Sequence, residues 1–298
     1  MTIYEQAADV VEASEPEHTR LVGVSRAMEP YVRETCARVG LTPGAKVIEV
    51  GCGSLGALLS LSAIVGPEGV VVGLDRDREA LDTARSILTI QGEGNVRLVQ
   101  ADLVTLTPAH VCPPTRTDPS PLRSDGPAGP FDLAYGHFVL CYQTDVVEVL
   151  QRVAAVVRPG GHIVVQEAVF TAPIPIEMPG RFVSAANLLM NEWFPALLGT
   201  MGACWDVAER YSMLCREAGL LEVEQRIFAP SLPPAQVPAG IAAYRDLLEG
   251  VRPLLARHGI ATAGEIDRVL GMLRATREER YSAPVFTHLR AELVARVV

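Results

Sequence analysis

Short apolar runs alternate with amphipathic segments between residues 47 and 169, and this is the dominant pattern of the chain. Residues 47–50 form an apolar run that carries one carboxylate, Glu49, and the glycine-rich segment 51–56 follows directly. Residues 57–61 are good helix formers, so the pattern predicts a strand, a tight turn and the start of a helix. Repeated strand–helix alternation is typical of a parallel, doubly wound α/β sheet with right-handed crossovers.

Four further predicted strands follow, and three of them end in an acid. Residues 69–75 form a buried strand that ends at Asp75, and residues 95–102 form a third strand that ends at Asp102. Residues 131–140 are the fourth strand and its exit. Residues 150–167 are interpreted as a helix, a Pro-Gly-Gly turn and a fifth strand that ends at Glu167. In open α/β sheets the carboxyl ends of the strands carry the ligand site, so these acids are candidates for chemistry.

The segments that flank this alternation have their own patterns. Residues 4–40 predict a helical lead-in that stops at Gly40, while residues 107–130, dense in Pro, Gly, Ser and Asp, predict a mobile surface insertion without a regular element. Beyond the fifth strand we expect an apolar helix at 181–200, a helix at 207–218, a strand at 220–228, helices at 241–258 and 263–280, and a last strand at 285–293.

The resulting organisation is one domain over residues 1–298. We divide it into a helical lead-in (1–41), a ligand-binding core (42–171) that contains the insertion (107–130), a helical cap (172–206), and a C-terminal part (207–298) with two extra helices and the last strand. The length permits either one large domain or two small ones.

The glycine turn admits two interpretations. Gly51, Gly53 and Gly56 satisfy the dinucleotide pattern G-x-G-x-x-G, with Asp75 close to the ~20 positions downstream where an acid is expected. However, Glu49 stands two residues before the first glycine, where it would repel a pyrophosphate. The same carboxylate would attract the amino group of S-adenosylmethionine (SAM).

Taken together, the spaced acids Glu49, Asp75 and Asp102, the Gly-Cys-Gly turn and the Arg-Pro-Gly-Gly turn resemble the class I SAM-dependent methyltransferases. The resemblance runs in order over about residues 42–228 and is closest to the bacterial small-molecule enzymes with a UbiE-like core. It implies a Rossmann-like, mostly parallel seven-stranded sheet with an antiparallel last strand and a helical cap. It also implies SAM as cofactor, S-adenosylhomocysteine as product, and cofactor contacts from Glu49, Gly51, Cys52, Gly53, Asp75, Arg76, Asp102, Leu103 and His137.

Candidates for catalysis lie at two strand ends. His137, after the fourth strand, suits a general base because the unperturbed pKa of histidine lies near neutrality, but it also suits a wall residue beside the cofactor. Glu167, after the fifth strand, is expected to point toward the cavity as a base or a substrate-orienting group, or else to cap a helix. The substrate cavity is assigned to His18, Tyr142, Phe182 and Trp193, although the aromatic side chains also suit simple packing.

Composition excludes several classes of partner. The net charge of −9 argues against a nucleic acid, which needs a basic stripe. No apolar run reaches the ~20 residues of a membrane span, and the first residues lack the basic start and apolar core expected of a signal peptide. The six cysteines have no metal spacing and suit the reducing cytoplasm. The region after the fourth strand lacks the acids of a metal cage, so we expect no metal.

The sequence therefore predicts methyl transfer to an O, N or C nucleophile of a small, largely apolar metabolite, by a protein compatible with a homodimer. Three alternatives stay open: a SAM-binding enzyme that catalyses cyclisation or rearrangement, an NAD-dependent dehydrogenase, and a non-catalytic SAM-binding protein.

Overall fold

The computed structural model describes residues 15–111, 130–172, 180–232, 234–277, 285–286 and 289–298. The chain separates into two compact units. The first, here called the sheet unit, comprises Ala13–Glu167, Arg210–Arg226 and Glu292–Val298. The second, the helical unit, comprises Met1–Glu12, Ala168–Glu209 and Ile227–Ala291. The division into lead-in, core and cap that the sequence suggested stays a prediction.

The strands, in chain order, are β1 (Lys46–Val50), β2 (Val70–Asp75), β3 (Val96–Gln100), β4 (Phe131–His137), β5 (Val157–Ala168), β6 (Leu221–Phe228), β7 (Ser231–Leu232), β8 (Val285–Phe286) and β9 (Arg290–Arg296). The helices are α1 (Glu15–Arg38), α2 (Leu58–Val65), α3 (Arg78–Gln91), α4 (Pro108–Val111), α5 (Val146–Ala154), α6 (Gly180–Asn187), α7 (Phe194–Thr200), α8 (Val207–Glu217), α9 (Val237–Arg257) and α10 (Ala263–Arg277). Short 3₁₀ turns lie at Leu103–Thr105, Leu140–Tyr142 and Pro234–Gln236, and a π-helical segment, Leu188–Trp193, connects α6 to α7.

One seven-stranded sheet has the strand order β3-β2-β1-β4-β5-β9-β6. Strands β1 to β5 pair in parallel, with Ile48 of β1 opposite Val72 of β2 and Ala134 of β4. The amide of Val297, just after β9, donates to the carbonyl of Gly161 near the start of β5, and the amide of Val169, just after β5, donates to Leu289. This pairing of opposite ends makes β9 antiparallel to β5. The predicted fold class is confirmed.

The sheet's position follows from burial on both faces. Val47, Ile48 and Val50 of β1 and Val71 and Val72 of β2 are almost fully buried, as expected for parallel strands covered by helices. β1 ends at the glycine turn and β2 ends at Asp75. The polar groups that follow these two buried strands therefore lie at the same edge of the sheet, where the carboxyl ends of the strands meet.

The structure corrects several predicted elements. The predicted last strand is wrong in its bounds, because β8 pairs antiparallel with β7 in a separate two-stranded sheet, while β9 enters the large sheet. The predicted Pro-Gly-Gly turn lies inside β5, where Gly160 has φ +75° and the register with β4 shifts. The predicted apolar helix contains the π-helical segment, whose wider turn the 3.6-residue pattern does not encode.

Two predicted segments lie partly outside the described residues. The helical lead-in is observed as α1, and its predicted residues 4–14 are not described. The insertion at 107–130 begins with the single helical turn α4, contrary to the expectation of no regular element, and residues 112–129 are not described.

Candidate active site

The glycine turn lies at the carboxyl ends of β1 and β2. The amides of Gly51 and Cys52 both donate to the carbonyl oxygen of Leu74, at 2.8 and 3.0 Å, and so bind the turn to the end of β2. Gly51, Gly53 and Gly56 have φ values of +67°, +53° and +50°. Residues with a Cβ rarely adopt this left-handed conformation, so the backbone itself requires the three glycines.

Val139, from the loop after β4, explains part of this requirement. A Cβ on Gly51 would overlap the Val139 side chain, and a Cβ on Gly136 would lie 2.9 Å from Val139 Cγ1. Val139 therefore packs between the glycine turn and the end of β4, and it was not among the residues predicted for the site. The sequence gives no signal for it, since an isolated apolar residue in a loop exit has no distinguishing pattern.

Glu49 is a buried carboxylate, and one of its two oxygens accepts a hydrogen bond. Its side chain is 1% exposed, and its Oε1 accepts a hydrogen bond of 2.7 Å from the amide of Ala57, just before α2. Its Oε2 is buried and has no hydrogen-bond partner among the described residues. Burial raises the pKa of Glu49 to about 8, against the opposing effect of the Ala57 amide. This oxygen can therefore accept from a donor, and a cationic donor would stabilise the ionised form.

Asp75 uses both carboxylate oxygens to organise the same turn. Oδ2 accepts from the amide of Gly53 at 2.8 Å, and Oδ1 accepts from the amide of Asp77 at 2.9 Å. Burial raises the pKa of Asp75, and these two amides partly offset the effect. Asp77, not Asp75, caps α3, because its side chain accepts from the amides of Glu79 and Ala80.

The other predicted cofactor residues lie near the ends of β2 and β3. The carbonyl of Arg76 accepts from Gln100 Nε2 at 3.1 Å. Asp102 caps the 3₁₀ turn at Leu103–Thr105 by accepting from the amide of Val104 at 3.1 Å. Leu103 is buried in this turn. The cap is the local role of Asp102 in this structure, and its predicted contact with the adenine stays a prediction.

The exit of β4 is strained. His137 is its last residue, and Phe138 follows with φ +52°, a conformation that a bulky residue adopts at a cost of roughly 1–2 kcal/mol. The two rings are tilted against each other with centroids 4.2 Å apart, and the Phe138 amide donates to the carbonyl of Gln166. Such strain persists where the surroundings hold it, which occurs often at functional sites.

Glu167 holds the loop that follows. Its side chain is fully buried, and Oε1 accepts from the amides of Val139 at 3.0 Å and Leu140 at 2.7 Å. Burial raises its pKa to about 7, against these amides and Cys141. Oε1 is therefore engaged by the 3₁₀ turn after β4, Oε2 has no partner among the described residues, and the expectation that Glu167 points toward the cavity stays a prediction. In this structure Glu167 positions the loop, and a direct catalytic role stays a prediction.

The predicted substrate residues are divided between the two units, and their assignment to one cavity stays a prediction. Tyr142 is half-buried in the turn that Glu167 caps. In the helical unit Phe182 and Trp193 are buried, and the Phe182 ring packs edge-on against Tyr244 at 5.3 Å. This contact is one of side-chain packing, and a role of Phe182 in a substrate cavity stays a prediction. The side chain of His18, in α1, lies outside the described residues.

Neither a metal site nor a membrane-spanning helix is found among the described residues. No group of three or more His, Cys, Asp or Glu side chains there is arranged to hold a metal ion. Among the same residues no helix is long and apolar enough to cross a membrane.

Comparison with known proteins identifies the family. Residues 41–219 match the model of the methyltransferase domain family, so the chain belongs to that family, and the predicted class I SAM-dependent, UbiE-like type is confirmed. The chain is 28% identical to trans-aconitate 2-methyltransferase of Azoarcus sp. (strain BH72) over 66% of each chain. It is 27% identical to demethylmenaquinone methyltransferase of Lactococcus lactis subsp. lactis (strain IL1403), over 44% of this chain and 45% of that one. The matches therefore span less than two thirds of these relatives.

A solved structure shows the same fold at lower identity. The [4+2]-cyclase SpnF superimposes with a TM-score of 0.51 and 15% identity, over 90% of this chain and 80% of that chain. At this identity the likeness shows the fold alone.

The residues present fit SAM, the cofactor of this family. Glu49 Oε2 is a buried oxygen without a partner among the described residues, next to glycines whose backbone no Cβ shields. The ionised form of Glu49 would repel a pyrophosphate, whereas the cationic amino group of SAM would stabilise that form.

Proposed function

We propose that this chain transfers the methyl group of SAM to an O, N or C nucleophile of a small, largely apolar metabolite, with S-adenosylhomocysteine as the product. The observation that carries the proposal is Glu49, buried at the start of the glycine turn with one oxygen unpartnered among the described residues. The family supports the reaction type. The names of the two relatives, methyltransferases of trans-aconitate and demethylmenaquinone, support a small-molecule acceptor.

Different residues of the chain bind different parts of SAM. Glu49 accepts from the amino group, the glycine turn lets the ligand approach the backbone, and Asp75 accepts from the ribose hydroxyls. Asp102 and Leu103 contact the adenine. When bound, SAM supplies an already activated methyl group, so the protein's tasks are alignment, exclusion of water and removal of a proton.

We assign proton removal to His137. It ends β4 beside the strained Phe138, and a neutral imidazole near physiological pH accepts a proton readily. Glu167 supports it indirectly by holding Val139 and Leu140, and hence the loop that begins at Phe138. His137 is therefore the proposed catalytic residue and Glu167 the proposed positioning residue.

Calorimetry tests the cofactor. We expect micromolar binding of SAM and S-adenosylhomocysteine and no heat with NAD. Asp75→Ala should weaken SAM binding by about 1–3 kcal/mol, because buried polar partners are left unpaired. The matched control is Asp77→Ala, which removes a neighbouring carboxylate that caps α3 and should leave SAM affinity nearly unchanged. Binding of NAD without SAM would refute the proposal.

Product analysis tests the reaction. With the acceptor identified by screening metabolites for the gain of one methyl group, His137→Ala should lower turnover by roughly 10²–10⁴ while SAM affinity is retained. Glu167→Gln keeps an acceptor oxygen for the loop and should lower turnover less, with a shifted pH profile. A product isomeric with its substrate would show cyclisation or rearrangement, and unchanged turnover in both variants would remove His137 and Glu167 from the mechanism.

A further inference from the structure

A second pocket lies at the opposite edge of the sheet, at the amino-terminal ends of β1, β4 and β5. It has a volume of about 320 Å³ and is lined by residues 39–45 with Asp132, Leu133, Arg158 and His162. Its volume is at the lower end of the roughly 300–1,000 Å³ typical of small-molecule sites. None of these residues belongs to the glycine turn, so the pocket is separate from the proposed SAM site.

Cationic side chains act on both Asp132 and His162 of this pocket. Arg158 Nε lies 2.7 Å from Asp132 Oδ1, and the amide of Lys46 donates to Asp132 Oδ2 at 2.9 Å. Although burial acts the other way, the Lys46 amide, Arg158 and the Lys46 charge hold the pKa of Asp132 below its usual value. Arg296 of β9 acts on His162 in the same pocket. Arg158 thus lies beside Asp132, while the charge of Lys46 acts on Asp132 and that of Arg296 acts on His162, on a chain whose net charge is −9.

Two side chains at the pocket have N–H groups that donate no hydrogen bond to any described residue. The ring of His162, which is only partly buried, makes no hydrogen bond to a described residue. Arg158 donates from Nε to Asp132 and from Nη1 to the carbonyl of Pro159, and a guanidinium carries five N–H donors. The remaining donors suit the several oxygens of one anion.

We propose that this pocket is a second binding site, for a small organic dianion of the phosphate monoester class. Two negative charges would be attracted by these cations, and the oxygens would accept from Arg158 and His162. The apolar part of the lining, Val39, Leu41 and Pro43, would contact the organic group. The proposal does not depend on the activity assigned to the SAM site.

The protonation of His162 gives a direct readout. Burial first, and then the charges of Arg296 and Arg158, lower its pKa. A bound dianion opposes both arginines and favours the imidazolium, which would then donate to it. We therefore expect NMR titration to show a His162 pKa higher by about one unit when the site is saturated.

The experiment compares phenyl phosphate, inorganic phosphate and chloride at one ionic strength. His162→Gln identifies the resonance among the six histidines. Phenyl phosphate should give a saturable shift at lower concentration than inorganic phosphate, since only the ester fills the apolar part. Equal affinity for the two would identify free phosphate as the ligand and would still support a dianion site. An equal shift with chloride would mean screening alone and would overturn the proposal.

Variants separate binding from general charge. Arg158→Gln should abolish the saturable shift, and Arg158→Lys should retain it at reduced affinity. If Arg158→Gln does not fold, Arg296→Gln at an exposed position should weaken binding at least threefold. The matched control is Arg85→Gln, which removes the same charge from an exposed pair with Asp82 on α3 and should leave the shift intact. A shift that survives Arg158→Gln or Arg296→Gln unchanged would overturn the proposal.

Discussion

Two factors restrict the residues of the glycine turn: the backbone conformation and the space available for a side chain. The backbone conformation excludes a side chain at Gly53, where nothing lies within 4 Å of an added Cβ. At Gly56 the space excludes it as well, because a Cβ would overlap Glu49 Oε1 and lie 2.9 Å from the carbonyl oxygen of Cys52. Two glycines with nearly equal φ thus differ only in what surrounds them, and this difference can be measured.

Gly56→Ala should lower the free energy of unfolding more than Gly53→Ala does. The control, Gly53→Ala, should lower the free energy of unfolding by about 1–2 kcal/mol through backbone strain alone. Gly56→Ala should lose more and should weaken SAM binding at least tenfold, since the new methyl group displaces the Glu49 carboxylate. Urea denaturation and calorimetry give the two quantities. Equal losses in both variants would show that the contact with Glu49 is unimportant.

Glu49 should make the stability of the ligand-free protein depend on pH. Its pKa rises from 4.5 to about 8 on folding, so the folded state binds the proton more tightly than the unfolded state. The resulting stabilisation is complete below about pH 4.5 and is lost as the pH rises through about 8.

Glu49→Gln removes this titration. Relative to the variant, the natural protein should lose up to about 4 kcal/mol of unfolding free energy across that window. Denaturation at a series of pH values measures the difference, and the exposed Glu79→Gln on α3 is the control with no expected effect. A difference that does not change with pH would mean that Glu49 is ionised throughout in the folded protein.

At the scale of elements, the connection between β3 and β4 is anchored at its first part. Leu106 and Val111 are each 2% exposed, and Val111 ends the helical turn α4. Both belong to the side of the connection nearest β3. The polar, proline-rich part that follows has few apolar residues with which to pack.

Two deletions distinguish these parts. Replacement of residues 113–129 by a short Gly-Ser link should change the melting temperature little, because loop entropy varies slowly with length. Replacement of 107–130 also removes Val111 and should destabilise by a further 1–3 kcal/mol, roughly the value of one buried aliphatic side chain. The melting temperatures of the two replacement variants measure these effects. A large loss with the shorter deletion would show that the polar part packs as structure.

The elements that could be predicted from the sequence are those specified locally. Strands β1 and β2 are apolar runs bounded by glycines or an acid, and their type and order follow from that pattern. The end of the chain was misassigned because Val285–Phe286 pairs with Ser231–Leu232, a contact between distant segments that no local pattern encodes. Glu167 was recognised as important, but its partners, the amides of Val139 and Leu140, depend on how the loop after β4 folds back.

At the scale of the whole sheet unit, one buried carboxylate connects the first helix to the last strand. Glu292 of β9 is fully buried, and it accepts from Thr35 and Arg38 of α1, Gln166 of β5 and Arg226 of β6. Thr35 and Glu292 are 257 residues apart in the chain. The cluster therefore forms only when both ends of the sheet unit are in place.

Glu292→Gln should be strongly destabilising. Without this carboxylate, Arg38 and Arg226 keep, among the described residues, only the exposed Glu34 as a shared partner, and removal of one member of a buried ion pair costs about 3–5 kcal/mol. The control is Glu224→Gln, which removes a pair with the same Arg38 at a side chain that is 42% exposed and should cost less than about 1 kcal/mol. Urea denaturation followed by circular dichroism measures both losses of unfolding free energy.

Because Arg226 and Glu292 act in one network, Arg226→Gln combined with Glu292→Gln should cost less unfolding free energy than the sum of the single changes. Additive losses, or equal losses for Glu292→Gln and Glu224→Gln, would mean that the cluster does not bind the two ends of the chain together.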